Sequence, residues 1–133
     1  PPLHSSAASD VYKRQARVAA TAALGRTLSR RARNRCELCS EKTSLTVVEI
    51  PPLPEEPEPE QAVIVCQRCK GLIEGKKDDP NTLRFLEESV WSEEAPVQIA
   101  VVRLVRALSA DGVDWAERIL EGLYLDPEIE EKI

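Results

Sequence analysis

All four cysteines of this 133-residue chain fall into one pattern, Cys36-Glu37-Leu38-Cys39 and Cys66-Gln67-Arg68-Cys69, with 26 residues between the pairs. Two residues between cysteines allow a tight turn that aims both sulfurs at one point. Two such pairs brought together place four thiolates at the corners of a tetrahedron, with metal–sulfur distances of about 2.3 Å for zinc. The pattern predicts a metal centre ligated by Cys36, Cys39, Cys66 and Cys69 and holding Zn2+. Such a centre is closed, because every position is sulfur and none is left for water or substrate. Its ion holds structure, with an apparent binding free energy on the order of 10 kcal/mol.

Little else in the chain suits catalysis. The one histidine is His4. A Ser-His-Asp or Cys-His mechanism needs a histidine base, and most hydrolytic zinc sites need imidazole ligands. No catalytic and no cofactor-binding residue is predicted. Ser92-Glu93-Glu94 has the types of an acid/base cluster, but it stands where a helix start wants a cap and negative charge. Arg35 and Arg68, beside and inside the cysteine pairs, could offset thiolate charge; plain solvation is the simpler reading for Arg68. Trp91 and Trp115 read as core residues in a chain with few large side chains.

The elements that must position the cysteines follow from local pattern. Aromatic content is 4%, so a large core is not expected and the metal becomes a main stabilising device. Residues 1–15 are polar, aperiodic and resemble a translated adapter sequence. They are set aside as a non-native, disordered segment. Residues 16–75 form a helix plus a zinc-ribbon module. Alanines and leucines of residues 16–34 favour a helix, weakened at Gly25. The β-branched run 45–50 and Ala62–Val65 read as two short antiparallel strands carrying the cysteine knuckles. Between them, PPLPEEPEPE (51–60) is an extended, solvated loop.

Residues 76–133 read as three to four α-helices. Asp79-Pro80 and Asp126-Pro127 are start signals, and Gly112 is a stop. Val97, Val101, Leu104, Val105 and Leu108 share one face, widened by Ile99 and Val102. These helices carry their own apolar stripes and should survive loss of the metal. The last start signal is followed by only six residues, so Ile129 and Ile133 are expected to leave apolar surface bare, as at a truncated end. The fold class is thus small α+β: an N-terminal helix, a four-cysteine ribbon, then helices. No run approaches the roughly 20 apolar residues of a membrane span, and none resembles a signal-peptide core. A cytoplasmic protein with reduced thiols is the expectation.

Charge is unevenly spread. Residues 13–35 hold eight bases and no acid, whereas residues 36–133 hold 22 acids against 10 bases. A basic helix of this kind either pairs with the acidic body or touches nucleic acid. It is similar to the helix ahead of the metal site in His-Asn-His nucleases, but their catalytic histidines are missing.

Several motifs together resemble the PhnA-type, alkylphosphonate-utilisation proteins. They are Asn34-Arg35-Cys36-Glu37-Leu38-Cys39, the strand ending in Pro51-Pro52, Val65-Cys66-x-x-Cys69, Asp79-Pro80-Asn81, Trp91-Ser92-Glu93, Trp115-Ala116 and Leu123-Tyr124-Leu125-Asp126. The resemblance covers about residues 27–130. Leu83 and Phe85 stand where the family usually has tryptophan and cysteine, and Glu94-Ala95-Pro96 replaces its Val-Pro-Ala. The family's C-terminal barrel module is not in this sequence. The resemblance implies a non-catalytic zinc-binding protein, with a protein partner or the missing module as its counterpart. It does not imply C–P bond cleavage. Two other readings use the same residues: a rubredoxin-like iron–tetrathiolate electron carrier, and a nucleic-acid-binding zinc ribbon. Against iron, Ser40 and Lys70 stand where rubredoxin-type knuckles carry glycine, and no aromatic lies between residues 13 and 84.

Overall fold

A two-stranded antiparallel hairpin lies between a pair of N-terminal helices and a larger helical layer. The computed structural model describes the backbone of residues 2–133 and the side chains of residues 11–133. Along the chain come α1 (Pro2–Ala23), α2 (Gly25–Ala32), β1 (Thr46–Glu49), β2 (Ala62–Val65), α3 (Gln67–Ile73), α4 (Leu86–Ser89), α5 (Ala95–Ala110), α6 (Asp114–Gly122) and α7 (Pro127–Lys132). Short 3-10 turns cover Pro59–Gln61 and Pro80–Leu83. The chain is a small α+β fold.

The strands pair Thr46 with Val65, Val47 with Ile64, Val48 with Val63 and Glu49 with Ala62. One more rung extends the ladder: the Ile50 amide donates to the Gln61 carbonyl at 2.9 Å, and Gln61 Nε2 donates to the Ile50 carbonyl at 2.8 Å. This satisfies the one buried amide side chain of the hairpin, while the proline-rich loop between them stays mostly exposed.

Every residue of β2 is buried, because the hairpin is covered on both faces. Val63 and Val65 belong to the main core with α3, α4, α5 and α6. Ala62 and Ile64 point the other way, onto Leu28 of α2, with Leu24, Ala32, Leu45 and Val47 around them. Period-two alternation thus feeds two separate apolar clusters from one strand.

α5 is the spine of the main core. Val97, Ile99, Val101, Val102 and Val105 are fully buried, while Leu104 and Leu108 are half-buried. The buried arc is wider than one helical stripe because α3, α4, α6, α7 and the sheet all pack on it. Gln98 is buried among them and donates to the Val90 carbonyl at 2.8 Å. Gly112, at φ 87°, makes the turn into α6 that few other residues could make.

Four expectations are corrected. The helix begins at Pro2 rather than 16, so residues 11–15, set aside as disordered, lie in α1, which ends at Ala23; Leu24 separates it from α2, which starts at Gly25. The side chain of His4 lies outside the described residues. Ile129 and Ile133 are half-buried against the main core rather than bare, since α7 packs on α5, Asp126 accepts the Glu128 amide at 3.0 Å and Arg103 donates to the Lys132 carbonyl at 2.6 Å. Trp91 is 56% exposed, so only Trp115 is a core tryptophan. Finally, Cys36, Cys66 and Cys69 are members of the same apolar cluster as α5, so the helices do not have a core independent of the cysteines.

Candidate metal centre

The chain leaves α2 through two successive left-handed residues, Arg33 (φ 56°) and Asn34 (φ 58°). Their amides return to the Arg30 and Ser29 carbonyls and close the helix end. Cys36 follows, donating its amide to the Glu41 carbonyl at 2.7 Å and accepting the Ser40 amide at 3.0 Å. Inside this turn the Cys39 amide points at Cys36 Sγ, 3.5 Å away. Ser40 completes it at φ 69°, the conformation for which glycine is the easier choice.

The second pair is built differently. Cys66 directly follows β2 and is the N-cap residue of α3, and Cys69 lies in the first turn of that helix. Instead of a second strand-borne knuckle, the arrangement is turn, hairpin, helix. The Lys70 amide donates to the Cys66 carbonyl at 2.9 Å, and the start of α3 fixes the direction of both sulfurs.

Together the elements bring all four Sγ atoms within 4.8 Å of one another. Cys39 and Cys66 are 3.6 Å apart. Tetrahedral Zn–S bonds of about 2.3 Å require sulfurs about 3.8 Å apart, so small side-chain adjustments bring the cluster onto an ion. Cys36, Cys66 and Cys69 are buried and Cys39 is half-buried. The four cysteines can hold a metal ion, and four sulfurs would fill its coordination shell.

Burial and crowding separate the thiols from one another. Cys36 is held low, to about 5, chiefly by the hydrogen bond that Cys69 donates to it, with the Cys39 amide helping. Burial pushes Cys39 up to about 11. Cys69 is pushed well above the ordinary thiol value because it donates to Cys36 and is buried. One sulfur therefore carries charge readily, while the Cys39 and Cys69 protons must leave when an ion enters.

A residue the sequence analysis passed over locks the first turn in place. Glu37, between the first two cysteines, accepts from Arg31 at 2.7 and 2.9 Å and from the Ile64 amide at 2.9 Å. Its own amide donates to the Ile64 carbonyl at 2.9 Å. Arg31 also donates to the Pro59 and Ala62 carbonyls. On the opposite side Ser89 Oγ donates to the Leu38 carbonyl, tying the same turn to α4. The signals were the residue types alone; their partners are too distant in sequence to be inferred.

The other singled-out residues sort clearly. Arg68 donates to Asp78 at 3.0 Å and to Thr82, and lies over the Phe85 ring, 5.7 Å from its centroid. The Asp79 amide and Arg68 hold the Asp78 carboxyl below its ordinary range. Arg35 is exposed. Ser92 Oγ accepts the Glu94 amide at 3.1 Å, which orders the entry to α5. Trp115 is buried with Arg84 5.4 Å from its ring centroid. No helix among the described residues is long and apolar enough to cross a membrane. Compared with protein-family models, with curated proteins and with solved structures, the chain finds no match in any of the three.

Proposed function

We propose that this chain is a non-catalytic zinc protein of the PhnA type, in which Zn2+ on Cys36, Cys39, Cys66 and Cys69 fixes the hairpin to the helical layer. The observation that carries the reading is the convergence of the four sulfurs within 4.8 Å. A tetrathiolate shell leaves no open coordination position, so the ion serves folding and not Lewis-acid chemistry. Reduced thiols fit a cytoplasmic setting. The link to alkylphosphonate metabolism rests on the sequence resemblance alone.

Elemental analysis of the purified chain tests the metal. One zinc per chain, released by acid or by thiol-modifying reagents, is the expected result. One iron per chain, with the red colour of a ferric tetrathiolate, would replace this reading by an electron carrier. The absence of any stoichiometric metal after purification under reducing conditions would remove both. Zinc-loaded protein should release no phosphate from phosphonoacetate or aminoethylphosphonate; release that disappears in Cys36→Ser would overturn the non-catalytic assignment.

A further inference from the structure

Eight bases crowd residues 13–35, and the structure divides them. Arg17 is engaged by Glu49 at 2.7 and 2.9 Å and by the Pro54 and Glu55 carbonyls. Arg31 is engaged by Glu37 and two carbonyls. These two account for the pairing of the helices with the acidic body. Lys13 and Arg14 are exposed on α1, a turn or more before α2 begins, and Arg26, Arg30, Arg33 and Arg35 form a separate group on α2 and the turn after it. All four are exposed, and none makes an ion pair or side-chain hydrogen bond among the described residues.

Arg26 and Arg30 are four apart on α2 and so lie on one face, about 6 Å apart along the axis. Arg33 and Arg35 leave the end of that helix at the turn into Cys36. Arg33 adopts φ 56°, where glycine would be the easier residue. The metal centre thus fixes the position of the arginine cluster's C-terminal end through Cys36. No acid occurs between residues 11 and 36, so the cluster is unneutralised along the chain as well.

We propose that this face of α2 and the following turn binds the phosphate backbone of a nucleic-acid duplex. Three features select that partner. All four bases are arginine, whose planar fork matches phosphate oxygens. Neither α2 nor the turn to Cys36 carries an aromatic residue, so these elements supply no ring of their own on which to stack the bases of a single strand. The exposed neighbours Thr27 and Asn34 are polar, so the face offers no apolar side chains to insert into a lipid surface. Contact is to phosphate, without base readout, and is independent of sequence. The acidic remainder of the chain repels the duplex elsewhere and orients it onto this face.

The test is fluorescence anisotropy of labelled 20-bp duplex DNA and duplex RNA of unrelated sequences, with the purified metal-loaded full chain. Four phosphate contacts predict that affinity falls about a hundredfold between 50 and 200 mM salt. Arg26→Gln with Arg30→Gln should weaken binding at least tenfold and reduce the log–log salt slope by about two. Arg106→Gln with Arg118→Gln, the same charge change on exposed residues of α5 and α6, should change it less than twofold. Both variants are at exposed sites, and unchanged circular dichroism verifies their folding. Binding to DNA alone or to RNA alone assigns the duplex type and supports the proposal. Equal loss in the two variants overturns it, as does no binding to either duplex at 50 mM salt. Binding to phosphatidylserine vesicles without binding to duplex would overturn it in favour of a membrane surface.

Discussion

The two faces of the hairpin are held by different physics. Toward α5, Val63 and Val65 enter an apolar cluster that also contains three of the four cysteines. Toward α1 and α2, the fully buried cluster among the described residues is Leu28, Ala62 and Ile64, rimmed by half-buried Leu24, Ala32, Leu45 and Val47, and two ion pairs add to the grip: Arg31 of α2 on Glu37 and Arg17 of α1 on Glu49. Apolar burial is insensitive to salt and acts over the whole cluster, whereas each ion pair acts locally and the more exposed one is screened. The α5 face should therefore set global stability and the α2 face should open first.

The largest effect is expected at the point where metal and core coincide. Cys66→Ser should abolish stoichiometric zinc and cost several kcal/mol, a large part of the roughly 10 kcal/mol a structural zinc site contributes. Because Cys66 packs with α5, melting followed by far-ultraviolet circular dichroism should show the helices loosening together with the hairpin. Helices that keep their melting midpoint would mean the two layers are energetically separate. In the wild type, Cys39 and Cys69 are pushed up, so zinc entry displaces at least two protons near neutrality. Apparent zinc affinity should accordingly rise by at least about a hundredfold per pH unit between pH 6 and about 7.5, measured by chelator competition.

Next comes Ile99→Ala, in the centre of α5 and fully buried, which should cost about 2–5 kcal/mol in chemical denaturation and leave the zinc content intact. A smaller loss, about 1–3 kcal/mol, is expected for Glu37→Gln, which leaves the largely buried Arg31 only the half-exposed Glu94 carboxylate, 3.9 Å away, as counter-charge. Here hydrogen exchange should rise first around Leu28 and only later in α5. Simultaneous loss of protection in both would erase the contrast between the two faces. The smallest effect belongs to Arg17→Gln. It should lower the melting midpoint slightly at low salt and not at all near 0.5 M, where screening acts within about 5 Å.

What could be read from the sequence was whatever local spacing encodes. The cysteine pairs, strand β2 at Ala62–Val65, the Asp79 and Asp126 caps and the Gly112 stop are each set by residues within four positions of one another. The start of α3 escaped because seven residues interrupted by Gly71 carry too few turns for a periodic signal. Trp91 and Trp115 look alike as letters, yet one follows α4 at the surface and the other lies under Arg84; only tertiary placement separates them. The Glu37–Arg31 lock and its bond to Ile64 join positions six and 27 residues apart, a separation that no helix or strand period encodes.

The two tryptophans give the molecule a built-in optical contrast. Trp115 is enclosed, with its indole N–H meeting no acceptor, whereas Trp91 faces solvent. An unbonded, shielded indole emits toward the blue and resists collisional quenchers; a hydrated one emits toward the red and is quenched freely. The intrinsic emission is therefore a sum of two separable colours. Since Trp115 belongs to the cluster that includes the cysteines, the blue component reports on the metal-bearing core while the red one serves as its internal reference.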